Sequence, residues 1–218
     1  QMVSAHYEHI WDSCCDHGFL GASLLSRKAA PTIHFIDIVP ELIEELEHKL
    51  QQFYSDSSIA WTTQCINVKE LPLTQHNGKQ LVIIAGIGGD LMTELVEGIY
   101  QNNSTADIDF LLCPVHHQFT LRQKLIALGF SLKDEVLIEE NKRFYEILLV
   151  SSKEDKSAKI TSTGEKIWQY DSVEQSTIVK KYLTKTLNHY QRIKLGSKAN
   201  NTHNVQDIIS AYQAHRVD

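Results

Sequence analysis

No apolar run in this sequence reaches the roughly 20 residues that a membrane helix needs. Gln1–His9 is polar and lacks the apolar centre of a secretory signal. Cysteine is scarce: Cys14, Cys15, Cys65 and Cys113 are too few for a disulfide framework in 218 residues, and the adjacent pair is badly placed to bridge. There is no Cys-x-x-Cys pair and no Cys/His cluster at zinc spacing, so no metal is expected and four reduced thiols in a cytoplasm are. No lysine followed by Ser or Thr closes the glycine-rich stretch at 86–89, which excludes a P-loop. Only Gly18 and Gly21 follow the first apolar run, too few for a dinucleotide fingerprint, so a dehydrogenase is a distant reading.

What is present suits an ordinary folded protein. The chain is 42% hydrophobic and 22% charged, which excludes wholesale disorder. Its length suits one domain, or one with a small appendage. The net charge of −6 is unevenly spread. Residues 1–155 carry 11 Lys+Arg against 22 Asp+Glu, whereas residues 156–218 carry 10 against 5. A basic tail on an acidic body suits a polyanion such as RNA, and equally a solvated lysine-rich helix face.

Short apolar runs alternate with amphipathic ones over the first 150 residues. Strands are predicted at 9–12, 32–38, 59–63, 80–85 and 110–113. Gln80–Ala85 is apolar almost throughout, as a strand buried on both faces must be. Helices are predicted around Leu20–Leu25, after Pro40, around Leu91–Val96 and over 119–128. Runs at 131–139 and 143–151 then read as an antiparallel hairpin. The pattern predicts an α/β fold with a mainly parallel sheet and an antiparallel hairpin at one edge. The polar stretch 153–165 reads as a linker, 173–193 as a helix, 196–204 as a loop and 205–215 as a last short helix. The expected division is residues 1–152 for the sheet domain and 153–218 for the linker and a small helical domain.

In an open parallel sheet, ligands bind beyond the carboxyl ends of the strands. Three such ends carry chemistry. Asp12-Ser13-Cys14-Cys15-Asp16-His17-Gly18 follows the first strand. Asp37 ends the second, where a carboxylate suits the two hydroxyls of a ribose. Ala85-Gly86-Ile87-Gly88-Gly89-Asp90 follows the fourth. Three glycines in four positions are more than a simple turn requires, and close approach of a flat base or cofactor accounts for them better. Capping of the following helices remains the competing role for the acidic residues.

These residues resemble the bacterial tRNA (adenine-22, N1)-methyltransferases. The family's first motif, Asp-x-Gly-x-Asp-His-Ala-x-Leu-Pro, is similar to Asp12-Ser-Cys-Cys-Asp16-His17-Gly18-Phe-Leu20-Gly21, and its Ile-Ala-Gly-Met-Gly-Gly to Ile84-Ala85-Gly86-Ile87-Gly88-Gly89. Its later segments are matched by Pro114, Leu121-Arg122, Gly129-Phe130, Glu139-Glu140 and Tyr145-Glu146-Ile147, so the likeness runs over about residues 9–150. Two departures stand out. The family's first-turn glycine is Cys14, which implies either crowding of the cofactor or a shifted turn using Gly18. The family's third-strand carboxylate is absent from Gln64-Cys65-Ile66-Asn67.

The resemblance implies a Rossmann-like class I methyltransferase sheet with a coiled-coil-like helical tail, S-adenosylmethionine as cofactor, and tRNA as the partner of a monomeric cytoplasmic enzyme. It implies cofactor contacts at Asp12, Cys14, Asp16, His17, Asp37, Ile38, Cys65, Asn67, Ala85 and Gly86. It puts catalysis at Asp16, His17, Gly86, Gly88 and Gly89. RNA contacts are expected at His116, His117, Lys180, Lys181, Lys185 and Arg192, with Lys194 and Lys198 beside them. Asp90 is a base or a helix cap, and Tyr145 a stacking or a core residue. A methyltransferase of the same fold acting on another RNA or a small molecule, and a non-catalytic RNA-binding homologue, are the alternatives.

Overall fold

The computed structural model describes residues 2–4, 6–196 and 202–215, with backbone alone at 202–204. Among these, seven strands form one sheet in the order β3-β2-β1-β4-β5-β7-β6. They are β1 (His9–Ser13), β2 (Thr32–Asp37), β3 (Ala60–Cys65), β4 (Gln80–Ala85), β5 (Ile108–Cys113), β6 (Ser131–Glu140) and β7 (Arg143–Ser151). The first five run parallel, and β7 pairs antiparallel with both β5 and β6. The mainly parallel sheet with a hairpin at one edge is therefore as the sequence predicts.

Helices α1 (Phe19–Ser26) and α2 (Pro40–Tyr54) cover one face, and α3 (Gly89–Asn102) and α4 (Gln118–Ala127) the other. Strand alternation explains how one apolar run serves both. Leu81 and Ile83 of β4 point to the α1/α2 core, whereas Val82 and Ile84 point to the α3/α4 core. β1 divides likewise, Ile10 to one side and Trp11 to the other. The chain changes face between α2 and α3, so the loops after β1 and β4 diverge and leave a crevice at their carboxyl ends.

The polar stretch 153–165 does not hang free. Leu132 N donates to Ala158 O at 2.8 Å, Ser131 bridges Lys159, and Ile160 and Thr163 are buried. It lies along the start of β6, where it satisfies backbone groups that an edge strand would otherwise expose. Its polar composition concealed this packing, because hydrogen bonds rather than apolar side chains hold most of it.

Two further helices follow, α5 (Val173–Gly196) and α6 (Thr202–Gln213). α6 starts three residues before the predicted position, and residues 197–201 of the predicted loop, Lys198 included, lie outside the described residues. A third cluster joins these helices to the hairpin: Leu137 of β6 packs with Ile167, Trp168, Val179, Tyr182 and Tyr212. Beneath it sits a buried charge network. Arg122 of α4 is fully enclosed and reaches Glu135 at 2.7 Å and Glu146 at 2.8 Å. Glu135 also accepts the N–H of Glu165 and of Lys166, and Glu146 accepts the Tyr182 hydroxyl. The flanking carboxylates hold the guanidinium above its ordinary pKa against a burial that acts the other way. The Leu-Arg and Tyr-Glu-Ile segments seen in the sequence are thus two halves of one internal ion pair.

Candidate active site

The loop from β1 to α1 is tightly wound. Cys14, Asp16 and Gly18 all take left-handed backbone, with φ of 56°, 50° and 71°. Only glycine adopts this region without a penalty, so Cys14 stands in the motif glycine's conformation at about 1–2 kcal/mol of strain. The turn does not move to Gly18; it uses both positions. The Cys14 side chain packs against the α3/α4 core, and burial, reinforced by Asp37 and Asp12, pushes its thiol up to about 11. Cys15 is pushed up to about 12 and Cys113 to about 11, again mainly by burial. These protonated thiols are poor nucleophiles.

Asp37 ties two loops together. Its Oδ2 accepts the Asp16 N–H at 3.1 Å, and its Oδ1 accepts those of Ile38 and Val39 at 2.8 and 3.1 Å. Of the roughly four acceptor positions of a carboxylate, one remains for a ligand. Asp12 is buried below this level. Its Oδ2 accepts the Gly21 N–H in the first turn of α1 at 2.8 Å, and burial outweighs that bond and raises its carboxyl to about 7. Asp12 thus anchors α1. Asp16 and His17 stand exposed at the rim, 3.7 Å apart.

Across the crevice, Gly86 has φ of 80° and no atom within 4 Å of where a Cβ would stand. It is the open floor of the site, with Ala85 half-buried beside it. The other two glycines have a different cause from the one expected. A Cβ on Gly88 would meet the His116 ring at 2.4 Å, and one on Gly89 would meet the carbonyl oxygens of His116 and His117 at 2.7 Å. The β4–α3 and β5–α4 loops are hydrogen-bonded to each other, Gly86 N to Cys113 O, Val115 N to Ile87 O and Gly89 N to His116 O. Gly88 and Gly89 therefore admit the chain's own neighbouring loop. Asp90 pairs with His117 Nδ1 at 2.7 Å instead of capping its helix through its own turn.

At the end of β3, Cys65 is exposed with its Sγ 3.6 Å from Ile38 O, and Asn67 spends its side-chain oxygen on Lys69 N. A row of apolar side chains completes the rim: Phe19 is 79% exposed and Ile38 65%, with Val39, Leu91 and Val115 also open. All follow carboxyl ends of parallel strands. The sequence reading singled out Ile38 alone; apolar residues just after strands and at the starts of the following helices were the available signal.

Beside the crevice, a cavity of about 220 Å³ opens between the β5–α4 loop, β7 and α5. It brings together His116, His117, Lys185 and Arg192 from the expected RNA set and adds Phe144, Tyr182, His189 and Tyr190. Lys185 Nζ lies 5.2 Å above the Phe144 ring. Lys180 and Lys181 face a neighbouring groove on α5 that Lys185 and Arg192 share, and Lys181 pairs with Glu139 at 3.1 Å. Phe144 lines the cavity, not Tyr145, whose side chain must project to the other side of β7.

The fold has known counterparts. Among solved structures, M. capricolum TrmK in complex with S-adenosyl-homocysteine is 17% identical and matches with a TM-score of 0.73 over 98% of this chain and 92% of that one. The B. subtilis m1A22 tRNA methyltransferase TrmK is 18% identical, with a TM-score of 0.72 over 100% and 94%. Magnesium protoporphyrin IX methyltransferase (ChlM) from Synechocystis PCC 6803, with bound SAM, is 17% identical and matches at 0.53 over only 69% and 71%. No curated protein matches the sequence significantly. The family model described as methyltransferase domain matches residues 1–148, the whole parallel sheet and most of the hairpin. The chain belongs to the methyltransferase-domain family.

Proposed function

We propose that the protein methylates N1 of an adenine in tRNA, of the position-22 type, with S-adenosylmethionine as donor. The observation that carries this reading is the extent of the likeness. TrmK structures match 98–100% of the chain, α5 and α6 included, whereas the porphyrin methyltransferase matches 69%. α5 and α6 carry most of the basic tail. Residues 1–152 would then hold the cofactor, and residues 153–218 would form the RNA surface together with His116 and His117. A cytoplasmic location belongs to this reading; the four cysteines are unpaired, and among the described residues no helix is long and apolar enough to cross a membrane.

The residues present fit the cofactor. Gly86 leaves the floor open, Asp37 keeps one acceptor position for a ribose hydroxyl, and Ile38 and Phe19 offer apolar surface for an adenine. Asn67 and Cys65 stand where the family carboxylate would be, so recognition of the adenine edge loses a charge. When bound, the cofactor supplies an activated methyl group for in-line displacement. The protein's part is alignment, worth up to ~7–11 kcal/mol in ideal cases. The aromatic cavity beside the crevice suits a base turned out of its stack. His117, held through Nδ1 by Asp90, offers its other nitrogen as acceptor for the proton that N1-methylation makes labile.

The test is calorimetric titration with S-adenosylmethionine and S-adenosylhomocysteine, followed by nucleoside analysis of tRNA incubated with the enzyme. Binding with formation of 1-methyladenosine is expected. Binding without it would redirect the search to another RNA or a small molecule, and no binding at saturating cofactor would leave a non-catalytic RNA-binding homologue. Asp37→Ala should weaken cofactor binding at least tenfold. Because three backbone N–H groups lose their acceptor, it should also lower stability by about 1–3 kcal/mol.

A further inference from the structure

Three histidines far apart in sequence meet on the α3 side of the sheet. His9 opens β1, His34 lies in β2, and His76 precedes β4. Each offers a ring nitrogen, and these nitrogens all lie within 4.8 Å of one another. His9 Nδ1 and His34 Nε2 are 3.1 Å apart. We propose that His9, His34 and His76 form a three-histidine site for a divalent cation of the zinc class, with a structural role.

The geometry suits this ion. Zinc with Zn–N bonds of about 2.0–2.1 Å in a tetrahedron sets neighbouring ligand nitrogens about 3.3 Å apart. The His9–His34 pair already stands near that spacing, and the remaining ligand distances, all within 4.8 Å, need only a small closing movement. Imidazoles without carboxylates favour a borderline cation over calcium or magnesium.

The surrounding groups orient the ligands as an outer shell does. The other nitrogen of His34, Nδ1, is engaged by Thr62 Oγ1 at 2.8 Å, which leaves Nε2 for the cation. Trp11 stacks on the His34 ring with centroids 3.8 Å apart. Gln80 fixes the loop that carries His76: its amide donates to Leu73 O and His76 O while its oxygen accepts the Trp11 indole N–H. His34 is buried whereas His9 and His76 are half-buried, which leaves a cation an entry path from solvent.

The site lies toward the amino ends of the strands, on the order of 13 Å down β1 from the crevice at ~3.3 Å per residue. It ties β1, β2 and the turn before β4 together across the middle of the sheet. A cation there would stabilise the native state without entering methyl transfer. It also runs against the sequence-based expectation of no metal, because ligands at positions 9, 34 and 76 match no spacing pattern.

Chelator-treated full-length protein should be titrated with Zn²⁺ by calorimetry, and with Co²⁺ for the visible bands of a tetrahedral nitrogen site. One cation per chain is expected, with a Tm rise of about 5–10 °C at a hundredfold excess over Kd. His9→Asn and His76→Asn should each weaken binding at least tenfold; both positions are half-buried, and circular dichroism checks their fold. Thr62→Val removes no ligand and should still weaken binding about 10- to 100-fold. No uptake by the parent protein, or uptake at unchanged affinity in both histidine variants, overturns the proposal.

Discussion

Replacing Arg122 with methionine tests the internal charge network most directly. The side chain is fully buried, and its guanidinium is the cation shared by Glu135 and Glu146. Breaking a buried pair by removing one partner costs about 3–5 kcal/mol. A second route gives the same size. With the cation gone, a carboxyl that ordinarily titrates near ~4.3 must be protonated, which costs about 4 kcal/mol at pH 7. At about 2–4 °C per kcal/mol for a chain of this length, Tm should fall by about 6–20 °C. The deficit must also depend on pH. In the variant the folded-state carboxyl pKa lies above its unfolded value, so stability returns as pH falls, and the deficit should shrink to about 2 kcal/mol at pH 5.5. Guanidinium unfolding at pH 5.5 and 7.5 reports this through Trp168, whose ring lies 5.8 Å from that of Tyr182. Adding Glu135→Leu and Glu146→Leu should not restore the parent, because the N–H groups of Glu165 and Lys166 and the Tyr182 hydroxyl would lose their acceptors. A deficit below about 1 kcal/mol, or one that ignores pH, would refute the reasoning.

Gly86→Ala and Gly89→Ala should separate the two roles of the glycine loop. The first places a Cβ in open space at φ 80°, so it should lose about 1–2 kcal/mol of stability but much of the cofactor affinity. The second drives a Cβ into the carbonyl oxygens of the neighbouring loop and should cost about 1–3 kcal/mol or more, measured by urea unfolding. Asp12→Asn keeps an acceptor for Gly21 N–H and removes a buried charge. The parent's Asp12 stabilises fully below about pH 4 and loses that contribution as pH rises through about 7. The Tm of Asp12→Asn relative to the parent should therefore climb between pH 5 and pH 8, and a constant difference would contradict the burial argument. Lys185→Ala with Arg192→Ala should lower the salt slope of tRNA binding by about 1 per cation removed, read by filter binding at several salt concentrations. An unchanged slope would remove the cavity and α5 from the RNA surface.

The architecture was legible in the residue pattern. Gln80–Ala85 must be buried on both faces, the helical repeats after Pro40 and after Gly89 need one apolar stripe each, and the hairpin shows its alternation; local periodicity carries all of this because each element's burial is written within it. The strand ends were legible too, so Asp12, Asp16, Asp37 and Gly86 fell where chemistry was expected. What each residue does there was decided by neighbours distant in the chain. Asp37 ties two loops because the parallel sheet sets β1 beside β2. Gly88 and Gly89 admit His116 and His117, a contact that depends on β4 lying beside β5. Phe144, Tyr182, Tyr190 and Arg192 share one cavity only once α5 packs on the hairpin. Arg122, Glu135 and Glu146, like His9, His34 and His76, come from separate elements, and a buried polar group finds its partner across space. Spacing along one chain reports the period of an element, not which elements become neighbours.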